Sequence, residues 1–344
     1  MNEPDRTRLA DWLRQNVADF AGGVLLRPLT GGQSNPTYCV EAGDHLWVLR
    51  RKPPGVLLAS AHAVDREYRV MAALADTGVP VPRMLGLCED PGVIGSTFVV
   101  MEHVAGRVFA DPALPGSNPH ERGAVYEAMA RTLAAIHRVD FNAVGLADHG
   151  RPQRYWSRQI ERWTRQYRAS QTDTLEAMER LIEWLPAHLP PGLDDAPGAL
   201  VHGDYRIDNL IFHPTEPRVL AVIDWELSTL GHPLADLAYH LMAWRVSPEE
   251  FRGLKGHDLV ALGIPDEATH LASYLTFGAG AGQARSGEVM DYAMAFNMFR
   301  MAAILQGIRA RALQGNAAAG DALATGERAR RMAEAGWRQA QPTG

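Results

Sequence analysis

The stretch Val201-His202-Gly203-Asp204-Tyr205-Arg206-Ile207-Asp208-Asn209-Leu210-Ile211 crowds polar side chains into a short loop between two apolar runs. Fifteen residues after Asn209, the apolar run Val222-Ile223 ends in Asp224, which is followed by Trp225 and Glu226. Two acids and an amide, each on a loop held by strands, suit a hard cation and phosphate chemistry. Mg2+ takes one or two carboxylates and completes its shell with substrate phosphates rather than with an all-protein cage. An Asp or Asn in a loop is commonly only a turn or cap residue. For Asp204, Asn209 and Asp224, however, order, spacing and strand context agree with one chemistry. Asp208 and Glu226 remain open: Glu226 could approach a second metal ion or pair with an arginine.

Several other chemistries are excluded. No Gly-Lys-Ser/Thr ending of a P-loop occurs, which disfavours that class of kinase. His232 and His240 lie near the motif but lack zinc spacing. The two cysteines, Cys39 and Cys88, form neither a disulfide framework nor a zinc site and read as buried thiols. Net charge is −6, with 34 basic and 40 acidic residues, so a nucleic-acid partner is not expected. No apolar stretch approaches the roughly 20 residues needed to cross a bilayer. The polar start Met1-Asn2-Glu3-Pro4-Asp5-Arg6 lacks a signal-peptide core. The expectation is a cytoplasmic protein with no membrane partner; its oligomeric state is left open.

At 344 residues the chain is long enough for two domains or for one domain with two lobes. The first hundred residues alternate strand-like runs with turns: Val24 to Leu29, Thr37 to Glu41 and Leu46 to Arg50. Val64, Tyr68, Met71 and Leu74 then share a helical face, and Gly78 with Pro80 and Pro82 ends it. Met84 to Cys88 and Thr97 to Glu102 follow as strands. Beyond Gly106 the pattern turns helical. Val125, Met129, Leu133 and Ile136 mark one helix, residues 151–168 a second and 175–189 a third. Short strand-like runs at Ala199–Val201, Leu210–Phe212 and Val219–Ile223 interrupt this region, and the rest, to about Trp337, reads as helical. The division expected is 1–103 as a nucleotide-binding lobe and 104–344 as the lobe with the catalytic loop, the metal site and acceptor-binding helices.

The spacing of His202-Gly203-Asp204 and Asn209, followed by a strand ending in Asp224, resembles the catalytic segment of the aminoglycoside phosphotransferase and choline kinase-like family. The longer match, Ile223-Asp224-Trp225-Glu226 through Gly231-His232-Pro233-Leu234-Ala235-Asp236-Leu237-Ala238, is similar to the branch fused to acyl-CoA dehydrogenases. The resemblance covers about residues 25 to 310. It implies an α+β, bilobal protein-kinase-like fold, with a small antiparallel-sheet N-lobe and a larger, mainly helical C-lobe. It also implies transfer of a phosphoryl group from ATP, with Mg2+, to a hydroxyl on a small-molecule acceptor.

Carried over residue by residue, Asp204 resembles the base that accepts the proton of the attacking hydroxyl. Asn209 and Asp224 resemble the Mg2+ ligands. His202 orients the loop rather than acting as a base, and Asp236 is a structural carboxylate. Gly31, Gly32 and Ser34, within Leu29–Asn35, resemble a glycine-rich phosphate loop, although an ordinary two-glycine hairpin turn would look the same. Arg50 stands where such kinases carry the phosphate-binding lysine, and arginine can still bind phosphate bidentately. Lys52, one of only two lysines, is the other candidate. Glu67 would be the ion-pair partner of Arg50. Phe98 to Val104 resembles the hinge strand, with the backbone near Glu102 to Val104 at the adenine edge.

Residues 151–168 hold six arginines against one glutamate. They step by three or four along one face, opposite Trp156, Ile160, Trp163 and Tyr167. Such a face counts against a polycationic acceptor and suits an anionic one, a hydroxy acid or hydroxyacyl-CoA thioester; a solvated arginine face is the plainer reading. Aminoglycoside, choline or sugar kinases, a nucleotide-binding pseudokinase and nucleotidyl transfer on the same fold are the alternatives.

Overall fold

The computed structural model describes residues 3–18, 20–29, 35–53, 64–278, 287–314 and 322–341. The chain forms two compact units. The first holds Met1–Arg107 together with the returning segments Ile211–Pro214 and Leu220–Leu227, and the second holds the remainder. The first unit therefore runs four residues past the expected boundary and recruits two pieces of chain from beyond residue 200. The second of these pieces carries Asp224.

In the first unit, α1 (Glu3–Asn16) precedes strands β1 (Leu25–Pro28), β2 (Thr37–Ala42) and β3 (His45–Arg51). Helix α2 (Val64–Leu74), strand β4 (Met84–Cys88), the short helix α3 (Pro91–Ile94) and strand β5 (Phe98–Glu102) follow. The strands form one antiparallel sheet in the order β1-β2-β3-β5-β4. Side chains alternate between its faces. Trp47 and Leu49 of β3, with Phe98 and Val100 of β5, enter a core closed by Leu9, Leu13 and Val17. The next residue on β3, Arg50, therefore points to the other face, where α2 packs.

Helix α1 was not expected from the sequence. Its only signal is Leu9, Leu13 and Val17 at steps of four in an otherwise polar segment, and the sheet face supplies the reason it forms. Gly86 admits it: a Cβ there would lie 2.7 Å from the Trp12 ring. Trp12 stacks edge-on to Phe98, with centroids 4.9 Å apart.

The second unit is mainly helical. It contains α4 (Pro119–His137), α5 (Tyr155–Ala169) and α6 (Glu176–Ala187). Strands β6 (Ala199–Val201), β7 (Leu210–Phe212), β8 (Val219–Val222) and β9 (Thr229–Gly231) come next. Helices α7 (Pro233–Arg245), α8 (Pro248–Phe251), α9 (Leu259–Leu262), α10 (Glu267–Thr276), α11 (Gly287–Leu313) and α12 (Ala322–Ala340) complete the chain. β7 pairs with β8, a ribbon that belongs for the most part to the first unit. β6 pairs with β9, so that Val201 lies opposite Thr229. Helix α7 is buried on every side and runs through the middle of the unit.

Helix α5 starts at Tyr155, not at Arg151 as the arginine spacing suggests. Arg154 takes a left-handed φ of 52°. The helix is capped from far away in sequence: the Trp156 amide donates to Asp194 Oδ1 at 2.7 Å, and the Ser157 hydroxyl donates to Asp194 Oδ2. Its aromatic face is buried and its arginine face exposed, as the spacing requires. Replacing Asp194 by Ala should cost about 1–2 kcal/mol, the typical value of a lost N-terminal cap. A urea titration with unchanged slope would read this as a lower midpoint.

Candidate active site

In the first unit, Arg50 is gathered between three carboxylates. Its Nε lies 3.0 Å from Glu67 Oε2, and its Nη2 lies 2.7 Å from Asp224 Oδ1 and 3.7 Å from Glu226 Oε2. The two-residue period of β3 aims Arg50 at α2, and Lys52 follows on the same face to meet Asp65 at 2.7 Å. Burial by itself would lower the Arg50 pKa, but Glu67, Asp224 and Glu226 outweigh it and push the pKa up. Glu67 is also pushed up. Burial is the largest cause; Arg50 pulls it down, and Asp224 and Glu226 add to the rise. The two shifts differ in origin: carboxylates raise the Arg50 pKa against its burial, whereas burial itself is the main cause at Glu67, with the neighbouring carboxylates adding to it.

Asp224 holds a left-handed φ of 67°, unusual for a residue with a side chain and typical of residues held in place for a task. Trp225, fully buried, pins that turn through a 3.0 Å bond from its indole N–H to Val222 O. The expected pairing of Arg50 with Glu67 is present, and Glu226 joins it through the arginine.

In the second unit, the loop after β6 is clamped by its backbone. The His202 and Gly203 amides donate to Asp236 at 2.5 and 2.7 Å, and His137 Nε2 lies 3.4 Å from the same carboxylate. Gly203 has a φ of 84°, which a side chain would strain. Its carbonyl accepts from the buried Arg300. The Asp204 amide donates to His202 Nδ1 at 3.2 Å, so the fully buried His202 is an acceptor at that nitrogen and braces the loop. Tyr205 is buried and donates its hydroxyl to Met129 O at 2.8 Å.

The Asp204 carboxylate is held on both oxygens. Asn209 Nδ2 donates to Oδ2 at 3.0 Å and to the Asp204 carbonyl at 2.8 Å. Tyr239 donates its hydroxyl to Oδ1 at 2.5 Å. Arg206 Nε stands 3.3 Å from both Asp204 Oδ1 and Asp208 Oδ1, and Arg252 pairs with Asp208. Burial, then the Asp204 charge, push the Tyr239 pKa well up, so the phenol remains a donor. Tyr239 and Arg206, which contact this carboxylate, also line a cavity. Met129, Met242, Trp244, Val246 and Phe251 line its body, and Arg252 lines it as well.

Other expected residues fall as follows. Gly31, Gly32 and Ser34 lie outside the described residues. Glu102 ends β5, with its amide donating to Arg83 O at 2.9 Å, and Val104 follows, half-buried. Two arginines of the stripe are held by local partners. Arg158 donates to the carbonyls of Gln153 and Arg151, and Arg168 pairs with Glu179. Sequence reasoning missed Tyr239 and Arg300. Tyr239 had a readable signal, since it lies one helical turn after Asp236 on the same face. Arg300, in the middle of α11, had none. Among the described residues no group of three or more His, Cys, Asp or Glu side chains is arranged to hold a metal ion. No helix among them is long and apolar enough to cross a membrane.

An antiparallel-sheet unit with an Arg–Glu pair, and a helical unit with a clamped His-Gly-Asp loop, define the protein-kinase-like fold. Residues 25–267 match the phosphotransferase enzyme family. The chain belongs to that family. It is 47% identical, over 92% of its length, to acyl-CoA dehydrogenase family member 10 of Mus musculus, of which it spans 29%. It is 45% identical, over 87% of its length, to acyl-CoA dehydrogenase family member 11 of Gallus gallus, of which it spans 38%. The chain thus spans about a third of the curated relatives it matches, and the fusion branch expected from residues 223–238 is the one found.

A crystal structure from Ralstonia eutropha JMP134, named for the aminoglycoside phosphotransferases, is 49% identical with a TM-score of 0.84 and 97% of each chain covered. At 17% identity and a TM-score of 0.61, the fold is shared with a thermostable aminoglycoside phosphotransferase solved with ADP and hygromycin B, with 97% of this chain and 98% of that one covered.

Burial alone would raise the Asp236 pKa, but the hydrogen bond and charge of His137, the charge of His202 and the Gly203 amide outweigh it and hold the pKa below the usual carboxylate range. A depressed pKa contributes stability that is present above the unfolded value, about 3.9. That stability is lost as pH falls through the lower folded value. In Asp236→Asn the stability difference between pH 7 and pH 3 should shrink; denaturant midpoints at the two pH values read it directly.

Proposed function

We propose that this chain is an ATP- and Mg2+-dependent kinase that phosphorylates a hydroxyl on an acceptor with an apolar body, a hydroxy acid or hydroxyacyl-CoA. The observation that carries the reading is the Asp204 carboxylate, held on both oxygens by Asn209 and Tyr239, where Tyr239 also lines a cavity with methionine, valine and aromatic walls and with Arg206, Arg252 and Asp208 among them. A polycationic acceptor would find no acidic excess there, because Arg206 and Arg252 offset Asp208 and Asp204. The names of the relatives, which join this kind of chain to acyl-CoA dehydrogenases, support an acyl acceptor.

The residues present fit Mg2+ and ATP. The cluster around Arg50 carries more carboxylate than its guanidinium neutralises. Asn209 spends its amide N–H on Asp204, which turns its carbonyl oxygen away from that residue. Asn209 and Asp224 each offer a hard oxygen donor, the kind that Mg2+ shares with substrate phosphates. When bound, Mg-ATP supplies the phosphoryl group, and its metal ions offset the charge that spreads over the phosphate oxygens.

The chain supplies positioning. Asp204 orients the acceptor hydroxyl and accepts its proton as the new P–O bond forms, and the terminal phosphate leaves ADP. His202 holds the backbone that carries Asp204. Arg50, braced by Glu67, contacts the donor phosphates with the loop of Gly31, Gly32 and Ser34. The main chain at Glu102 and Val104 takes the adenine edge.

Mass spectrometry of products from Mg-ATP and a panel of hydroxy acids, hydroxyacyl-CoA thioesters, choline, sugars and aminoglycosides tests the reading. ADP with a phosphorylated hydroxy acid or thioester is expected, and product only from the polycations would overturn it. Asp204→Asn should keep nucleotide binding and lose most turnover. Asp224→Asn should weaken Mg-ATP binding itself. Normal turnover in both variants would sink the assignment. Met242→Trp, which fills the cavity, should raise KM for longer-chain acceptors about tenfold and leave KM for ATP unchanged.

A further inference from the structure

We propose that Tyr239 is a positioning residue that fixes the plane of the Asp204 carboxylate toward the acceptor hydroxyl; the proposal rests on the reading of Asp204 as the base. The backbone of the loop is already held. Asp236 takes the His202 and Gly203 amides, Arg300 donates to the Gly203 carbonyl, and the Asp204 amide donates to His202. These bonds place the Cα of Asp204 but leave its carboxylate to rotate, because the terminal torsion of an aspartate is broad and roughly two-fold.

Two donors remove that freedom, one on each oxygen: Asn209 on Oδ2 at 3.0 Å and Tyr239 on Oδ1 at 2.5 Å. Arg206 also approaches Oδ1, but at 3.3 Å, and it is shared with Asp208. A carboxylate offers about four acceptor positions, so these bonds leave capacity for an acceptor hydroxyl.

Tyr239 is itself held rigidly. It is buried, and the Arg300 guanidinium lies 5.4 Å from its ring centroid and 5.4 Å from that of Trp163. Tyr239 also follows Asp236 by one turn of α7, so one helix face supplies the clamp on the backbone and the clamp on the carboxylate. Through this arrangement Arg300 supports the loop carbonyl and the tyrosine ring together. Tyr239 also lines the apolar cavity, so one side chain touches both the base and the space proposed for the acceptor.

Tyr239→Phe tests this, because it keeps the ring over Arg300 and removes only the donor. With Mg-ATP and the hydroxy acids of the panel, kcat should fall about 10- to 100-fold, as expected for a misoriented reacting group. KM for ATP should stay within about twofold, since nothing assigned to the nucleotide is touched. In the Asp204→Asn background the same change should cost nothing further, because the group it orients is already disabled. A wild-type kcat in Tyr239→Phe overturns the proposal, and so does an equal additional loss in the double variant. Should the unsubstituted chain phosphorylate no acceptor, the proposed function falls, and a crystal structure of Tyr239→Phe decides the positioning by itself. A turned or split Asp204 carboxylate upholds it; an unmoved one overturns it.

Discussion

A carboxylate sealed inside a helical unit must have its oxygens satisfied, because an unpaired buried charge is far more costly than any surface contact is worth. At Asp236 the donors are the His202 and Gly203 amides, joined by His137. The requirement runs both ways: the acid needs the loop, and the loop takes the shape that brings its amides to the acid. Gly203 meets the left-handed φ this demands. His202 then takes the next amide, and Asp204 emerges at a fixed point. The conformation of the loop that carries Asp204 is thus a consequence of one buried charge on the central helix, and the same helix presents Tyr239 one turn later.

The first unit uses charge differently. Arg50 cannot be neutralised by deprotonation, so it anchors a cluster in which carboxylates outnumber it. Glu67 is almost wholly buried, and the pKa of its carboxyl is pushed up. A lysine in the same place would present one compact charge; the arginine fork reaches Glu67 through Nε and Asp224 through Nη2 at once. Arginine at this position therefore ties helix α2 to the segment that returns with Asp224, within one compact unit.

The cavity lined by Tyr239 has a different character from both clusters. Its walls are methionine, valine and aromatic side chains, and methionine packs adaptably around irregular apolar shapes. Among the polar groups there, Arg206 and Arg252 are both tied to Asp208, which also lines the cavity, and Arg206 reaches Asp204 as well. In the arginine stripe of α5, Arg158 and Arg168 are spent on neighbouring carbonyls and a carboxylate. A charge pattern along a helix records what faces solvent; the apolar cavity records what could be bound.

The order and spacing of His202, Asp204, Asn209 and Asp224 are read directly from the sequence because local spacing survives folding, and the roles proposed for them rest on it. The sheet strands and α2 were legible because periods of two and of about three and a half are imposed by burial on one face. Helix α1 and the start of α5 were not, because their reasons are tertiary: a sheet face needing cover, and a cap delivered from Asp194. Arg300 was invisible, since an arginine in a long helix is ordinarily solvated, and only packing makes it buried beneath Tyr239. The sequence by itself determined which atoms are available for phosphoryl chemistry. The tertiary structure alone decided which of them are desolvated, which oxygen each donor meets and what lies beside the base, because burial and hydrogen-bond geometry arise only when segments distant in the chain are brought together.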